Sequence, residues 1–380
     1  MRALKIRVYP TKEQIKQLNI SFGCTRFVYN QALALKINRW KEHKENLSVI
    51  EISKMLTFWK KTNERGFLKQ ANAQGLQQSL RHLDSAYKKF FKEKKGFPNF
   101  KKKSDKQSYS VVGNVSVSYS KIKFPKIGFL NCRGLRKFCG TIKTATISKN
   151  PAGQYFVSFC VDDLKKAEKA KEIKASIGID VGIKTMATLS NGEKHHSPNH
   201  LKEIEGKLKF YQRKQAKCTK GSKQFKKWKF KVARIWNKIT NIKNDFLHKL
   251  SKDLVKNHDL ISVEKLQIKN MVKNHKLARS ILNMNWGDFF RQLEYKCEWY
   301  GKYFVKINPK RTSQECSDCG HINKELNLSV REWTCLKCKN HHDRDINASI
   351  NIENRGVDSV LKSCGDILAR GIYETRTPCL

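Results

Sequence analysis

Two Cys-x-x-Cys pairs, Cys316 with Cys319 and Cys335 with Cys338, stand fifteen residues apart near the end of the chain. Two tight turns that each present two thiols can satisfy one tetrahedral ion, and this spacing is that of a zinc site. Four sulfur ligands close the coordination shell. The site is therefore read as structural, a ribbon whose fold is fixed by Zn²⁺ binding. A thioredoxin-like redox role needs one such pair beside a βαβ unit and fits poorly. His341 and His342 follow the second pair. They are read as facing solvent or nucleic acid, with replacement of a ligand as the alternative. The other eight cysteines show no pairing pattern and read as ordinary thiols.

The charge balance narrows what surrounds that ribbon. Among 380 residues, 78 are Lys or Arg and 33 are Asp or Glu, for a formal net charge of +45. Such an excess opposes compaction unless a polyanion screens it. Nucleic acid does this, because neutralising its phosphates releases counterions and drives binding. The positive charge runs along the whole length, which favours a long nucleic-acid channel over a membrane-binding patch. The start, MRALKIRVYP, shows no secretory signal, and no apolar run is long enough to span a bilayer. The expectation is a cytoplasmic prokaryotic protein, associated with the nucleoid when bound to DNA, with no membrane partner.

Hydrophobic periodicity divides the chain. Residues 4–8 alternate as a strand, and Thr11 to Gln14 form a capping box before a helix on which Ile15, Leu18, Phe22, Tyr29 and Trp40 fall near helical spacing. Residues 48–60 and 72–94 read as helices, the second stopping at Gly96 and Pro98. A basic connector (99–106) precedes residues 108–161, rich in Val, Ser, Thr and Tyr with period-2 stretches. These predict a small β-barrel or sheet, completed by the N-terminal strand, with one turn near Pro151–Gly153. Strands return at 175–199, with Asn191-Gly192 as a hairpin turn. Residues 200–257 predict a helical hairpin broken near Gly221. Its apolar stripe (Phe225, Trp228, Val232, Ile235, Ile239, Ile242, Phe246, Leu250) reads as helix packing, and its Lys-rich faces as candidate phosphate contacts, with a merely solvated face as the alternative. A strand at 260–263, a helix near 286–300, a strand at 303–307 and a short helix near 346–354 complete the pattern. A polar tail follows.

Few carboxylates are available in so basic a chain, and three sit at element ends. Asp180 ends an apolar strand between glycines (GIDVG), Glu264 ends another (ISVE), and Asp345 lies in DRDIN before a helix. Each has a bland reading: Asp345 as a helix cap, Glu264 as a turn residue, Asp180 as a buried acid that is costly unless partnered. Together, on a chain built for polyphosphate, they suggest a two-metal site in which carboxylates hold two Mg²⁺ roughly 4 Å apart. The glycines beside Asp180 are expected to let backbone and substrate approach closely.

Longer segments carry a family resemblance. ALKIRVYPTKEQ, FGCTRFVYNQALA, FPNFKKK, GIDVGIKTMATLSNG, NDFLHKLSKDLV, ISVEKLQIKNMVKN, WGDFFRQLEYKCEWYG, TSQECSDCG and HDRDINASINI occur in the family's order over nearly the whole chain. The chain resembles the transposon-encoded TnpB proteins, relatives of type V CRISPR effector nucleases. The resemblance implies an α+β multidomain fold. A wedge β-barrel (1–20 and 107–172) is interrupted by a helical recognition domain (21–106). An RNase H-like RuvC α/β nuclease domain (173–312) follows, with the helical hairpin 200–257 inside it. A zinc ribbon is inserted at 313–341, then come the last RuvC part at 342–356 and a tail at 357–380. It implies Asp180, Glu264 and Asp345 as catalytic Mg²⁺ ligands, with Asp343 as runner-up for the third. It implies a guide RNA from the element's own end, a double-stranded DNA target beside a short motif, and one protein per RNA. Gln74, Gln77, Gln78 and Arg81 on helix 72–94 are candidate readers of that motif, since Gln and Arg pair with adenine and guanine edges. A solvated helix face is the plainer reading. The rivals are a DNA- or RNA-binding regulator or transposase accessory in which cleavage is dispensable, a protein-only resolvase or transposase, and a zinc-ribbon adaptor. The first need not keep three acids, the second explains neither helical segment nor ribbon, and the third leaves GIDVG unexplained.

Overall fold

The computed structural model describes residues 2–134, 140–162, 167–170, 172–198, 201–327 and 329–364. The chain forms two compact units, residues 1–164 and 165–380.

The first unit opens with strand β1 (Arg2–Tyr9) and helix α1 (Lys12–His43). Helix α2 (Val49–Trp59), a 3-10 segment (Asn63–Gln70) and helix α3 (Ala73–Glu93) come next. Strands β2 (Gln107–Val112), β3 (Ser116–Ser118), β4 (Lys121–Phe124), β5 (Gly128–Cys132), β6 (Thr141–Lys149) and β7 (Tyr155–Asp162) follow. The expected capping box starts α1: Thr11 Oγ1 accepts the Gln14 N–H and the Gln14 side chain accepts the Thr11 N–H at 3.0 Å. Ser48 and Glu51 start α2 in the same way, a box that the sequence reading did not single out.

The seven strands form one antiparallel sheet in the order β2-β6-β7-β1-β5-β4-β3, so β1 is an interior strand rather than a margin. The first half of α1 seats Leu18 and Phe22 on this sheet against Tyr109, Phe124 and Phe159. Its middle turns Val28 and Leu33 toward Ile52, Leu56, Leu76, Leu80 and Leu83 of the other helices. Each such burial stabilises by about 1.5–3 kcal/mol. Trp40 lies beyond that contact and is 55 % exposed, so the α1 stripe ends sooner than its spacing suggests.

The second unit contains β8 (Ser176–Asp180), β9 (Ala187–Leu189), β10 (Lys194–His195), α4 (Leu201–Ala216) and α5 (Lys223–Asn257). Next are β11 (Leu260–Glu264), α6 (Ile268–Met271), α7 (His275–Met284), α8 (Trp286–Tyr300) and β12 (Tyr303–Ile307). Strands β13 (Glu332–Thr334) and β14 (His341–Asp343) pair with each other, and α9 (Arg344–Cys364) closes the described chain.

The main sheet here has the order β10-β9-β8-β11-β12. Strands β8, β11 and β12 run parallel, whereas β9 and β10 return antiparallel. Ile177, Ile179, Ile261 and Val263 point to one face, where α5 and α8 supply Leu247, Leu254, Phe289 and Leu293. Helix α9 lies on the opposite face. A Cβ at Gly178 would collide with the Ser349 carbonyl and the Glu353 backbone, and a Cβ at Gly356 would collide with the Ser262 side chain. Gly178 thus admits the close backbone approach expected of it, and the backbone that approaches is that of α9.

Helix α9 also corrects the expected short helix and tail. It runs on through Gly356 to Cys364, with Val357 and Val360 buried against Leu260. Gly356 looks like a stop in sequence and is instead the point of closest contact with the sheet. Residues 365–380, the rest of the expected tail, lie outside the described residues.

Candidate active site

The parallel register of β8 and β11 pairs Ile179 with Val263. The next residues, Asp180 and Glu264, therefore stand side by side at the carboxyl ends of adjacent strands. Asp345 joins them from the first turn of α9. The Asp180 carboxyl is pushed up to about 7, by burial first, then by the negative charges of Glu264 and Asp345. Burial also raises Glu264, against a hydrogen bond from Thr312 and the charge of Arg355. All three sequence-predicted acids therefore share one electrostatic site.

The choice between Asp343 and Asp345 acquires a geometry. Asp343 Oδ1 accepts the backbone N–H groups of Asp345 (2.9 Å) and Ile346 (3.1 Å), so Asp343 is the helix cap. Its other oxygen meets the Lys194 ammonium at 2.6 Å. Burial alone would raise Asp343, but Lys194 and these N–H groups hold it below the usual carboxylate range. Asp345 is spared the capping role. Its oxygens face Arg331 at 3.0 and 3.3 Å.

Arg331 and Thr312 were not picked out in the sequence. Both lie in irregular segments without periodicity, and only their position next to an acid marks them. Among the described residues the three carboxylates are not all within 4.8 Å of one another. Asp345 is instead paired with Arg331. Oxygen donors alone suit a hard divalent cation, and Asp180, half-buried and raised first by burial and then by two neighbouring carboxylates, is a group whose proton such a cation could replace.

The ribbon is built differently. Cys316, Cys319, Cys335 and Cys338 bring their sulfurs within 4.8 Å of one another. Cys316 and Cys338 stand 3.7 Å apart, and Cys319 and Cys335 stand 3.5 Å apart. Zn–S bonds of about 2.3 Å in a tetrahedron require S···S separations near these. All four are free thiols, so the residues fit the ion. Backbone N–H groups of Cys338 and Lys337 hold the Cys335 thiol down at about 6.

His341 is exposed, as expected, but His342 is not. It is 8 % exposed, its Nε2 lies 3.1 Å from Cys316 Sγ, and its ring lies against Trp333 with centroids 5.0 Å apart. Pairing with β13 turns it inward, where Cys316, Asp318, Cys338 and His342 form an overlapping ligand-like group.

Two surfaces carry the residues that the sequence reading offered as nucleic-acid contacts. Between Glu205 and Asp245 the hairpin α4–α5 carries fourteen Lys and Arg and no acid. Its stripe packs as expected at Val232, Ile235, Ile239 and Ile242 against Leu201, Ile204 and Leu208. Phe210, Phe230 and Trp236 remain exposed, with Lys214 over Phe210 and Arg234 over Phe230. On α3 the four candidate readers divide. Gln77 and Arg81 are exposed and line one open groove of about 410 Å³ with Ile50, Ser53 and Lys54. Gln74 and Gln78 are half-buried.

Comparison with known proteins adds the lineage. Residues 158–275 match the OrfB_IS605 family model, described as "Probable transposase". Residues 286–352 match the model for a Cas12f1-like TNB domain. Residues 1–45 match one described as a helix-turn-helix domain, although here they form β1 and the single long helix α1. A Streptomyces pristinaespiralis protein named "Putative RNA-guided DNA endonuclease" is 38 % identical over 96 % of this chain and 91 % of its own. The Escherichia coli K12 protein of that name with the suffix InsQ is 31 % identical, over 98 % of this chain and 96 % of its own. In fold, the protein chain of a Cas12f1–sgRNA–target DNA complex superimposes with a TM-score of 0.55 at 17 % identity, covering 93 % of this chain and 98 % of that one. Likeness that extends over nearly the whole of both chains, at 38 % and 31 % identity, leaves one conclusion: the chain belongs to the TnpB family.

Proposed function

We propose that this protein is an RNA-guided DNA endonuclease with a single RuvC-type site. The observation that carries the reading is Asp180 at a strand end beside Glu264 and Asp345, its carboxyl pushed up to about 7 by burial first and then by the charges of those two acids. Gathering two further acids round a half-buried carboxyl adds repulsion to its desolvation cost, which the fold alone does not require. In this reading Asp180, Glu264 and Asp345 hold two Mg²⁺, which when bound supply an activated water and stabilise the leaving oxygen. Attack on phosphorus breaks the P–O3′ bond and leaves 5′-phosphate and 3′-hydroxyl ends. Asp343 caps α9 and so aims Asp345. Cys316, Cys319, Cys335 and Cys338 hold Zn²⁺ as a structural ion.

The same reading assigns the first unit's sheet to a wedge-type barrel and α1–α3 to target recognition. It gives the second unit's mixed sheet to the RNase H-like nuclease. The cationic hairpin takes phosphates of a guide–target hybrid, which needs charge more than base readers. Gln77 and Arg81 face the short motif beside the target, and one protein binds one RNA. No helix among the described residues is long and apolar enough to cross a membrane.

The test is to express the protein with its native flanking DNA and sequence the RNA that co-purifies. One defined RNA with a variable 3′ segment, and cleavage of DNA matching that segment, is the expected outcome. Heterogeneous RNA with unguided cleavage would replace this reading by a protein-only nuclease. Specific DNA binding without cleavage would replace it by a regulator.

A further inference from the structure

Helix α9 carries a stripe of three polar side chains at i, i+4 and i+8: Asn347, Asn351 and Arg355. All three grip the backbone of the loop between β12 and the first ribbon knuckle. The Asn347 side-chain amide donates to the Glu315 carbonyl at 2.7 Å and accepts from the Ser317 N–H at 2.8 Å. Asn351 donates to the carbonyls of Thr312 (2.9 Å) and Glu315 (2.6 Å). Arg355 donates to the carbonyls of Asn308 and Lys310 and pairs with the Glu315 carboxylate. Asn347 and Asn351 are 1 % and 6 % exposed, so these bonds are made away from water, where losing a partner is costly. A loop of no regular structure is thereby held as firmly as an element.

At its centre lies Thr312, 3 % exposed. Its hydroxyl is 2.5 Å from Glu264 Oε1 and 3.2 Å from the Pro309 carbonyl, both acceptors. A hydroxyl has one proton, and an ionised carboxylate at the shorter distance takes it. Because α9 also bears Asp345, one rigid helix places one acid directly and a second through Thr312.

We propose that Thr312 is a positioning residue for the divalent-metal site. Its hydroxyl fixes the rotamer of Glu264, and the Asn347–Asn351–Arg355 stripe fixes Thr312 relative to Asp345. The inference rests on Glu264 being a metal ligand. It adds that the ligand is aimed from the loop leading into the ribbon, not from its own strand.

The probe is Mn²⁺, titrated by electron paramagnetic resonance into the zinc-loaded protein–RNA complex, with RNA alone as blank. Glu264→Gln is the reference for a lost ligand. Thr312→Val removes the hydroxyl at constant shape, Thr312→Ala removes it without crowding, and Thr312→Ser keeps it. Outer partners of metal ligands commonly change affinity by about 10–100-fold. The expected result is an Mn²⁺ affinity lowered at least about tenfold in the Val and Ala variants and restored in Ser, with zinc content and RNA affinity unchanged. Excess Mn²⁺ should recover much of the cleavage rate of the Val variant. Wild-type Mn²⁺ affinity in Thr312→Val or Thr312→Ala, beside a loss in Glu264→Gln, would overturn the positioning role and leave the triad standing. So would loss of zinc or RNA binding, since Thr312 would then serve the fold. Unchanged Mn²⁺ affinity in Glu264→Gln would remove the triad reading itself, and the positioning role with it.

Discussion

The second unit contains two clusters of metal-ligand chemistry, built on opposite principles. The ribbon's four cysteines come from one short stretch, on two turns that each supply a pair. Their sulfurs have closed to within 4.8 Å of one another, with Leu326 and Trp333 packed around them. The three acids come from two neighbouring strands and a helix start, separated by most of the unit. They are not all within 4.8 Å of one another, and Glu264 and Asp345 add to the burial that raises Asp180. A closed sulfur cluster has no room for substrate, and its ion contributes to folding. In the proposed function the open carboxylate cluster costs stability until a cation enters, and it would leave space for a phosphate beside that ion. The first cluster therefore belongs to the fold, and the second is sustained by the fold at a cost.

The largest expected effects come from crossing the two clusters. Asp180→Ala should lower guided DNA cleavage by on the order of 10³-fold or more, measured in single turnover, while RNA affinity and melting temperature hold or improve. Cys319→Ser should also abolish cleavage, but by a different route. Zinc content should fall, and β13 and β14 should lose hydrogen-exchange protection. Asp345 should be disturbed with them, because β14 leads directly into α9. If Cys319→Ser kept full cleavage with zinc lost, the ribbon would not be supporting the acid site.

A smaller effect separates packing from ligation. Gly356→Ala places a methyl group where Ser262 already sits. It should destabilise by about 1–3 kcal/mol, the usual range for overpacking. Pairing it with Ser262→Gly should return much of the loss, read by thermal melting. Recovery tests whether α9 is held flush on β11 by this contact, and through it whether Asp345 is held at its height above the sheet.

The two clusters also differ in how far they could be read in advance. Cys316, Cys319, Cys335 and Cys338 were legible because zinc geometry is local, and local spacing encodes it. Asp180, Glu264 and Asp345 were legible as strand-end and helix-start acids, but their convergence depends on the order β9-β8-β11, which no local pattern states. Thr312 and Arg331 were invisible for the same reason. Each acts across tens of residues or from an irregular loop. His342 was misjudged because a histidine beside a knuckle looks exposed until β13 turns it inward. The long α9 was missed because Gly356 has two uses, and only the neighbouring Ser262 decides between stop and close contact. Helix starts fared better: the capping box at Thr11 is local chemistry, and the structure contains it as read.

The smallest effect is electrostatic and sharpens the comparison most directly. Asp180 titrates near 7 in the folded protein against about 3.9 in an unfolded chain. Between these values the folded state keeps a proton that the unfolded state has released. Stability of protein freed of Mg²⁺ but retaining zinc should therefore fall as pH rises from about 4 to about 7, then level off. Asp180→Asn, which imitates the protonated form, should remove that slope and gain roughly 2 kcal/mol at pH 8 after allowance for partial exposure. Mg²⁺ should flatten the wild-type slope too, because the cation replaces the proton. Below about pH 7 it must compete with that proton, so the Mg²⁺ needed for half-maximal cleavage should rise by up to about tenfold per pH unit. The zinc cluster should contribute no such slope in this range while its metal is retained, since bound thiolates do not protonate. Melting curves against pH, with and without Mg²⁺, decide this. A wild-type profile parallel to that of Asp180→Asn in Mg²⁺-free buffer would mean that the acids do not strain one another, and the distinction between a settled cluster and a charged, waiting one would fall.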